Sequence, residues 1–163
     1  MKCFELQGPD GIEGLRLVDR PTPMPGPGQV LVLIKAATLN YRDLLTIKGG
    51  YGSRQKFPLI PVSDGAGVVE AAGAGVREFV PGDRVIGSFF ETWIGGEPSV
   101  AKMQGALGGA VDGVLAEYRV FPSEALVRTP DHLTEVEAAA LPCAALLSRG
   151  HSALSLNPLA RAW

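Results

Sequence analysis

Turn residues recur about every ten positions along this chain, at Gly8-Pro9-Asp10-Gly11, Pro21 to Gly28, Gly49-Gly50, Gly73-Ala74-Gly75, Pro81-Gly82-Asp83, Pro122 and Pro130. Segments cut that short read as the strands of a small barrel or sandwich rather than as long helices. Glycine and proline together supply 34 of 163 residues, well above the roughly 12% of a typical chain. The 46% hydrophobic content shows that these glycines punctuate strands instead of filling a disordered tract. No repeat of fixed period is present.

Lys2 to Leu6 and Leu15 to Val18 read as strands around the first turn, and Gln29 to Ala37 (QVLVLIKAA) is the strongest strand. That run is too continuously apolar for a one-sided surface strand, so it belongs near the core. Tyr41 to Ile47 fits one or two helical turns stopped by Gly49-Gly50. Gly67 to Ala72, Asp83 to Gly87, Leu115 to Phe121 and Ala125 to Arg128 are further strands. Glu91 to Gly113 is glycine-rich without periodicity and reads as a surface lobe or loop. Thr134-Glu135-Val136-Glu137 has the form of a capping box and starts a helix. The fold class expected is mainly β, a barrel with short helices and a C-terminal helical segment.

Charge excludes several roles. Fifteen basic against 17 acidic residues leave a net charge of −2, which gives no basic excess for a phosphate backbone, so nucleic acid is not the expected partner. The longest apolar run, Ala138 to Leu147, is broken by Pro142 and is too short to span a membrane. The start of the chain lacks the pattern of a secretion signal. Cys3 and Cys143 lie far apart and form neither a disulfide framework nor a four-ligand zinc cage, a usage that suits a reducing cytoplasm.

Gly65-Ala66-Gly67 invites a dinucleotide reading, since glycines let a backbone approach a pyrophosphate at a helix N-terminus. Here Val68-Val69-Glu70-Ala71-Ala72 follows and then a turn, with no helix, so the glycines serve close strand packing.

Leu39-Asn40-Tyr41-Arg42-Asp43-Leu44-Leu45, Gly50-Tyr51, Pro61-Val62-Ser63-Asp64-Gly65-Ala66-Gly67-Val68-Val69-Glu70, Pro81-Gly82-Asp83-Arg84-Val85 and Leu141-Pro142-Cys143-Ala144-Ala145-Leu146 occur in one order and spacing over residues 1 to 147. This set resembles the N-terminal domain of medium-chain dehydrogenases/reductases. The resemblance implies a GroES-like, partly open β-barrel carrying the substrate side of an active site, joined in the family to a Rossmann domain that holds NADH or NADPH. Residues 1–133 would form the barrel. Residues 134–163 would be a helical tail that begins a cofactor-binding domain.

Two branches of that family differ in metal. The zinc alcohol dehydrogenases place a cysteine where Asn40 stands and a histidine with a glutamate near Ser63-Asp64, and a catalytic zinc takes three such protein ligands. Only Cys143 matches the third ligand, and no cysteine lies between Phe89 and Gly113 for a structural zinc. The resemblance therefore favours the zinc-independent branch of quinone oxidoreductases and enoyl reductases, with a small-molecule carbonyl, quinone or enone as acceptor. Without a metal, hydroxyl or amide donors must polarise the acceptor oxygen or supply its proton. The catalytic candidates implied are Asn40, beside the nicotinamide, and Tyr51, aimed at the substrate. A surface-turn tyrosine explains Tyr51 equally well.

Asn40, Tyr41 and Arg42 are the cofactor-binding candidates, though a solvated helix face also accounts for Tyr41 and Arg42. Asp43 reads as a local ion pair or cap, and His132 and His151 as uncharged loop histidines.

After Leu146 the resemblance stops. The last residues to Trp163 leave no room for a βαβ unit, which takes about 30 residues or more, so the expectation is a chain without a Rossmann domain and inactive alone. A segment from Thr134 onward without that partner should pack poorly. Its leucines, Leu141, Leu146, Leu147 and Leu154, would then promote self-association. A non-enzymatic GroES-like binding module is the alternative function.

Overall fold

The computed structural model describes residues 1–50 and 56–145. Strands β1 (Lys2–Leu6) and β2 (Leu15–Asp19) form an antiparallel hairpin around a short 3-10 turn, Gly11–Gly14. A five-stranded antiparallel sheet follows, made of β3 (Gln29–Thr38), β4 (Asp64–Ala72), β5 (Arg84–Gly87), β6 (Tyr118–Pro122) and β7 (Leu126–Arg128). Its order is β6-β3-β4-β5-β7.

That order dictates curvature. β6 and β7 are opposite edges of the sheet, yet only the turn Ser123–Ala125 joins them. Four steps of flat sheet would separate the edges by roughly 19 Å, whereas the connection from Pro122 to Leu126 reaches at most about 14 Å. The sheet must therefore curl until its edges approach, which gives the partly open barrel expected. Shifts in the β3–β4 register between Leu31 and Val32 and between Ile34 and Ala36 help it bend.

Val30, Val32, Val69, Val85, Phe121 and Leu126 fill the barrel. Gly67 needs its missing side chain, because a Cβ there would overlap the Leu33 carbonyl on the paired strand. Gly87 likewise leaves room for the Phe121 ring, 2.7 Å from where its Cβ would be. The Gly65–Gly67 pattern is thus strand packing, as its sequence context indicates.

Three expectations need correction. β4 begins at Asp64, since residues 64 to 66 pair with Thr38, Ala37 and Ala36. β6 begins only at Tyr118, because the preceding residues bond to the hairpin instead, Phe4 N–H to the Leu115 carbonyl at 2.9 Å and Glu117 N–H to that of Lys2 at 3.0 Å. The stretch from Glu91 to Gly113 is a surface lobe only at first, where it carries the short helix α2 (Val100–Met103). Leu107, Gly108, Gly109, Gly113 and Val114 are buried, because their glycines admit close backbone contact.

Helix α1 (Tyr41–Ile47) forms as expected, and so does α3 (Glu135–Ala139). Thr134 Oγ1 accepts the Glu137 N–H at 3.3 Å while the Glu137 carboxylate accepts the Thr134 N–H at 2.9 Å. Within the described part of the segment that begins at Thr134, α3 packs well, burying Ala138 and Ala139 against Ala66 and Ile86, and Arg84 pairs with Glu135 at 2.7 Å. Small residues at positions 138 and 139 let the helix lie close to the sheet. Leu146, Leu147 and Leu154 lie outside the described residues. Removing the cap hydroxyl in Thr134→Ala should cost about 1 kcal/mol, measured as a lower urea midpoint at unchanged slope. A midpoint that does not move would show the cap to be idle.

Candidate functional site

The end of β3 and the start of α1 meet the start of β4 at one pole of the barrel. Asn40 precedes α1 and forms a capping box with Asp43, whose carboxylate accepts the Asn40 N–H at 2.7 Å. This turns Asp43 inward, where it is 2% exposed. Arg42 follows it in: its side chain is only 13% exposed, and its guanidinium lies 3.4 Å from the Asp43 carboxylate and donates to the Leu107 carbonyl at 3.0 Å. It also stacks over the Phe89 ring at 4.7 Å, a favourable place for a cation.

Asp64, at the first position of β4, is fully buried. It accepts the Ser63 hydroxyl at 2.7 Å and the Cys143 backbone N–H at 2.9 Å, and the Asn40 side chain also hydrogen-bonds to it. Burial pushes the carboxyls of both Asp43 and Asp64 above the usual range, and for Asp64 those hydrogen bonds pull back against it. The two aspartates repel one another, and Arg42 lowers both. Burial, then the charge of Asp64, raises the Cys143 thiol, which makes it a poor nucleophile at neutral pH.

Asn40 and Arg42 thus come together with Asp43, Ser63, Asp64 and Cys143. Tyr41 does not join them, since it is 77% exposed on the outer face of α1. Tyr51 lies outside the described residues, as does His151. His132 is exposed, and Asp43 serves as both cap and ion pair, as expected. Arg42 does not lie on a solvated helix face; its contacts are inside.

Next to this cluster an open cavity of about 450 Å³ is lined by Phe89, Phe90, Trp93, Val127, Leu141 and Pro142, among others. Phe89 and Phe90 meet edge to face at 4.5 Å, and Trp93 lies 5.6 Å from Phe90. The Trp93 indole N–H is already given to the Gly96 carbonyl at 3.0 Å. Among the described lining residues Ser88 is the other with a polar side chain, and none of them is charged. Cluster and cavity share two walls, the Phe89 ring under Arg42 and the π-helical turn Leu141–Ala145 that Asp64 holds. Sequence reasoning missed the cavity, although Phe89-Phe90 and Trp93 in a glycine-rich stretch were a visible signal.

The donor set does not fit a catalytic zinc. Asn40 and Ser63 offer neutral oxygens, Asp64 is committed to hydrogen bonds, and Cys143 brings the lone thiol. Among the described residues no three His, Cys, Asp or Glu side chains are grouped to hold a metal ion.

Residues 26–131 match the family model of the alcohol dehydrogenase GroES-like domain. The chain belongs to that family. It is the N-terminal unit of medium-chain dehydrogenases/reductases. A zinc-type alcohol dehydrogenase-like protein of Schizosaccharomyces pombe is 47% identical over 120 residues, 74% of this chain and 35% of its own length. A chloroplastic quinone-oxidoreductase of Triphysaria versicolor is 35% identical over 147 residues, 89% of this chain and 39% of the relative. Among solved structures, a cobalt- and zinc-bound thermostable alcohol dehydrogenase from Pyrobaculum aerophilum superposes with a TM-score of 0.84 at 33% identity, over 97% of this chain and 50% of that one. The chain thus spans about a third to a half of the proteins it matches. No helix among the described residues is long and apolar enough to cross a membrane.

Proposed function

We propose that this GroES-like domain is the substrate-side half of an NAD(P)H-dependent oxidoreductase of the zinc-independent kind, acting on a carbonyl, quinone or enone. The observation that carries the reading is the shared wall between an uncharged aromatic cavity and a polar cluster without a metal donor set. An apolar acceptor fits the cavity by its surface, and a few convergent polar groups beside such a space are the usual form of a small-molecule site. The nicotinamide cofactor, bound chiefly by a dinucleotide domain, supplies the hydride.

This chain's residues have other tasks. Asn40 stands at the pole where the cluster opens, half-exposed; its amide N–H groups go to Asp64 and the Thr38 carbonyl, and its amide oxygen can accept from the cofactor's carboxamide. The Phe89, Phe90 and Trp93 rings exclude water. Tyr41, exposed beside Asn40, is the residue of α1 free to meet a cofactor phosphate. Tyr51 is the proposed proton donor.

The decisive experiment joins residues 1–146 to a dinucleotide-binding domain of a zinc-free relative and assays NADPH-dependent reduction of quinones and enones. Metal content gives a second check. Elemental analysis of the dialysed chain should find well under one zinc per chain, because thiolate and imidazole ligands are replaced by Asn40 and Ser63-Asp64. A stoichiometric, tightly held zinc would overturn the zinc-independent assignment.

A further inference from the structure

Val62 is the one described non-glycine residue with a left-handed backbone, at φ 72°. A β-branched side chain rarely occupies that region, where its Cβ crowds the following carbonyl. Such strain persists only where surrounding structure over-determines it, and here the surroundings are visible. Residues 105–115 run past Ile60, Pro61 and Val62 as a strap. Gly113 N–H donates to the Ile60 carbonyl at 2.6 Å, Val114 N–H to that of Val62 at 2.9 Å, and Leu115 N–H to that of Pro61 at 3.2 Å.

Glycine is required in the strap, since a Cβ on Gly108 would lie 2.6 Å from the Val62 nitrogen and one on Gly113 would overlap the Val62 carbonyl. Asp112 fastens the strap from outside, accepting the Ile60 N–H at 2.9 Å and pairing with Arg20 at 2.9 Å. Directly after the strained residue come Ser63, whose N–H bonds to Asp43, and Asp64, which holds the Cys143 N–H.

We infer that Val62 is a positioning residue: the strap holds its left-handed turn, the turn aims Ser63 and Asp64 into the polar cluster, and Asp64 thereby seats the Leu141–Ala145 wall of the cavity. The inference rests on the reading of that cavity as the acceptor site.

The test compares Val62→Gly with Val62→Ala in the full chain. Both variants lose the buried side chain, but only glycine keeps φ 72° without strain. The Gly variant should have a folding equilibrium constant about fivefold larger than the Ala variant, the reverse of the order found where φ is negative. Amide exchange at Cys143 should be at least about twentyfold faster in the Ala variant than in the Gly variant, beyond the roughly fivefold expected from stability alone at Val69. Equal stabilities, or Cys143 exchange that only follows Val69, would overturn the inference.

If Val62→Ala does not fold while Val62→Gly does, the backbone half of the inference stands and Asp64→Asn tests the other half. Cys143 exchange should then rise about tenfold, and an unchanged rate would overturn the link. These measurements need no cofactor. In the two-domain fusion, Val62→Ala should raise KM for the acceptor against Val62→Gly with kcat little changed, whereas a fusion with no activity would fault the functional reading and leave the exchange result standing.

Discussion

Joined after Leu146 to a dinucleotide-binding domain of a zinc-free relative, this chain should reduce quinones or enones with NADPH, while residues 1–163 alone should show neither turnover nor measurable NADPH binding. The physical reason is a division of labour. Nicotinamide cofactors are held mainly through their phosphates and adenosine on a glycine-rich turn at a helix N-terminus. Gly65 and Gly67 lie in strand β4 and cannot serve as such a turn. The barrel contributes the cavity and the groups around it. In the fusion, Tyr51→Phe should lower kcat about ten- to a hundredfold if the hydroxyl delivers the proton, at or below the usual range for acid catalysis because water can substitute. An unchanged kcat with chemistry rate-limiting would return Tyr51 to a surface turn. Robust NADPH turnover by the unfused chain would overturn the larger proposal.

Replacing Arg42 with methionine should destabilise the chain by about 3–5 kcal/mol at pH 8, the cost of leaving buried charge without its partner. Methionine fills similar space, so the loss reports the charge together with its hydrogen bond to the Leu107 carbonyl and its contact with Phe89 more than lost volume. Asp43 and Asp64 are both buried, and Arg42 is the cation that lowers their carboxyls.

The pH dependence has a definite sign. Both carboxyls have folded values raised above the unfolded ones, so the stability they contribute is full below the unfolded value near pH 4 and is lost as pH rises through the folded values. Without Arg42 those folded values rise further. The gap between wild type and Arg42→Met should therefore shrink on acidification toward pH 5 and widen toward pH 8. Urea melts across that range measure it, and a gap under about 1 kcal/mol at every pH would mean that Arg42 contributes no more than a surface pair.

Much of this protein was legible in its sequence, for reasons local to the chain. The turns at Gly8–Gly11, Pro81–Asp83 and Pro122 set strand length, the apolar run from Gln29 identified the central strand β3, and Thr134 with Glu137 marked the start of α3. Each of these depends on neighbours within a few residues, which is the range that local pattern covers. The residue types at 40, 63, 64 and 143 were likewise readable, since each is given by the sequence itself.

Tertiary structure alone decided the rest. Arg42 stands on a seven-residue helix whose pattern is consistent with a solvated face, and only the approach of Leu107 and Phe89 from a distant stretch gives its charge an inside partner. The glycines at 108 and 113 looked like loop residues. Their role is to let one backbone press on another at Val62, a contact some fifty positions away that no local periodicity encodes. The cavity has the same origin, since its aromatic wall and its Leu141–Pro142 wall come from separate parts of the chain and meet because α3 packs on Ala66 and Ile86 and Asp64 holds the Cys143 N–H.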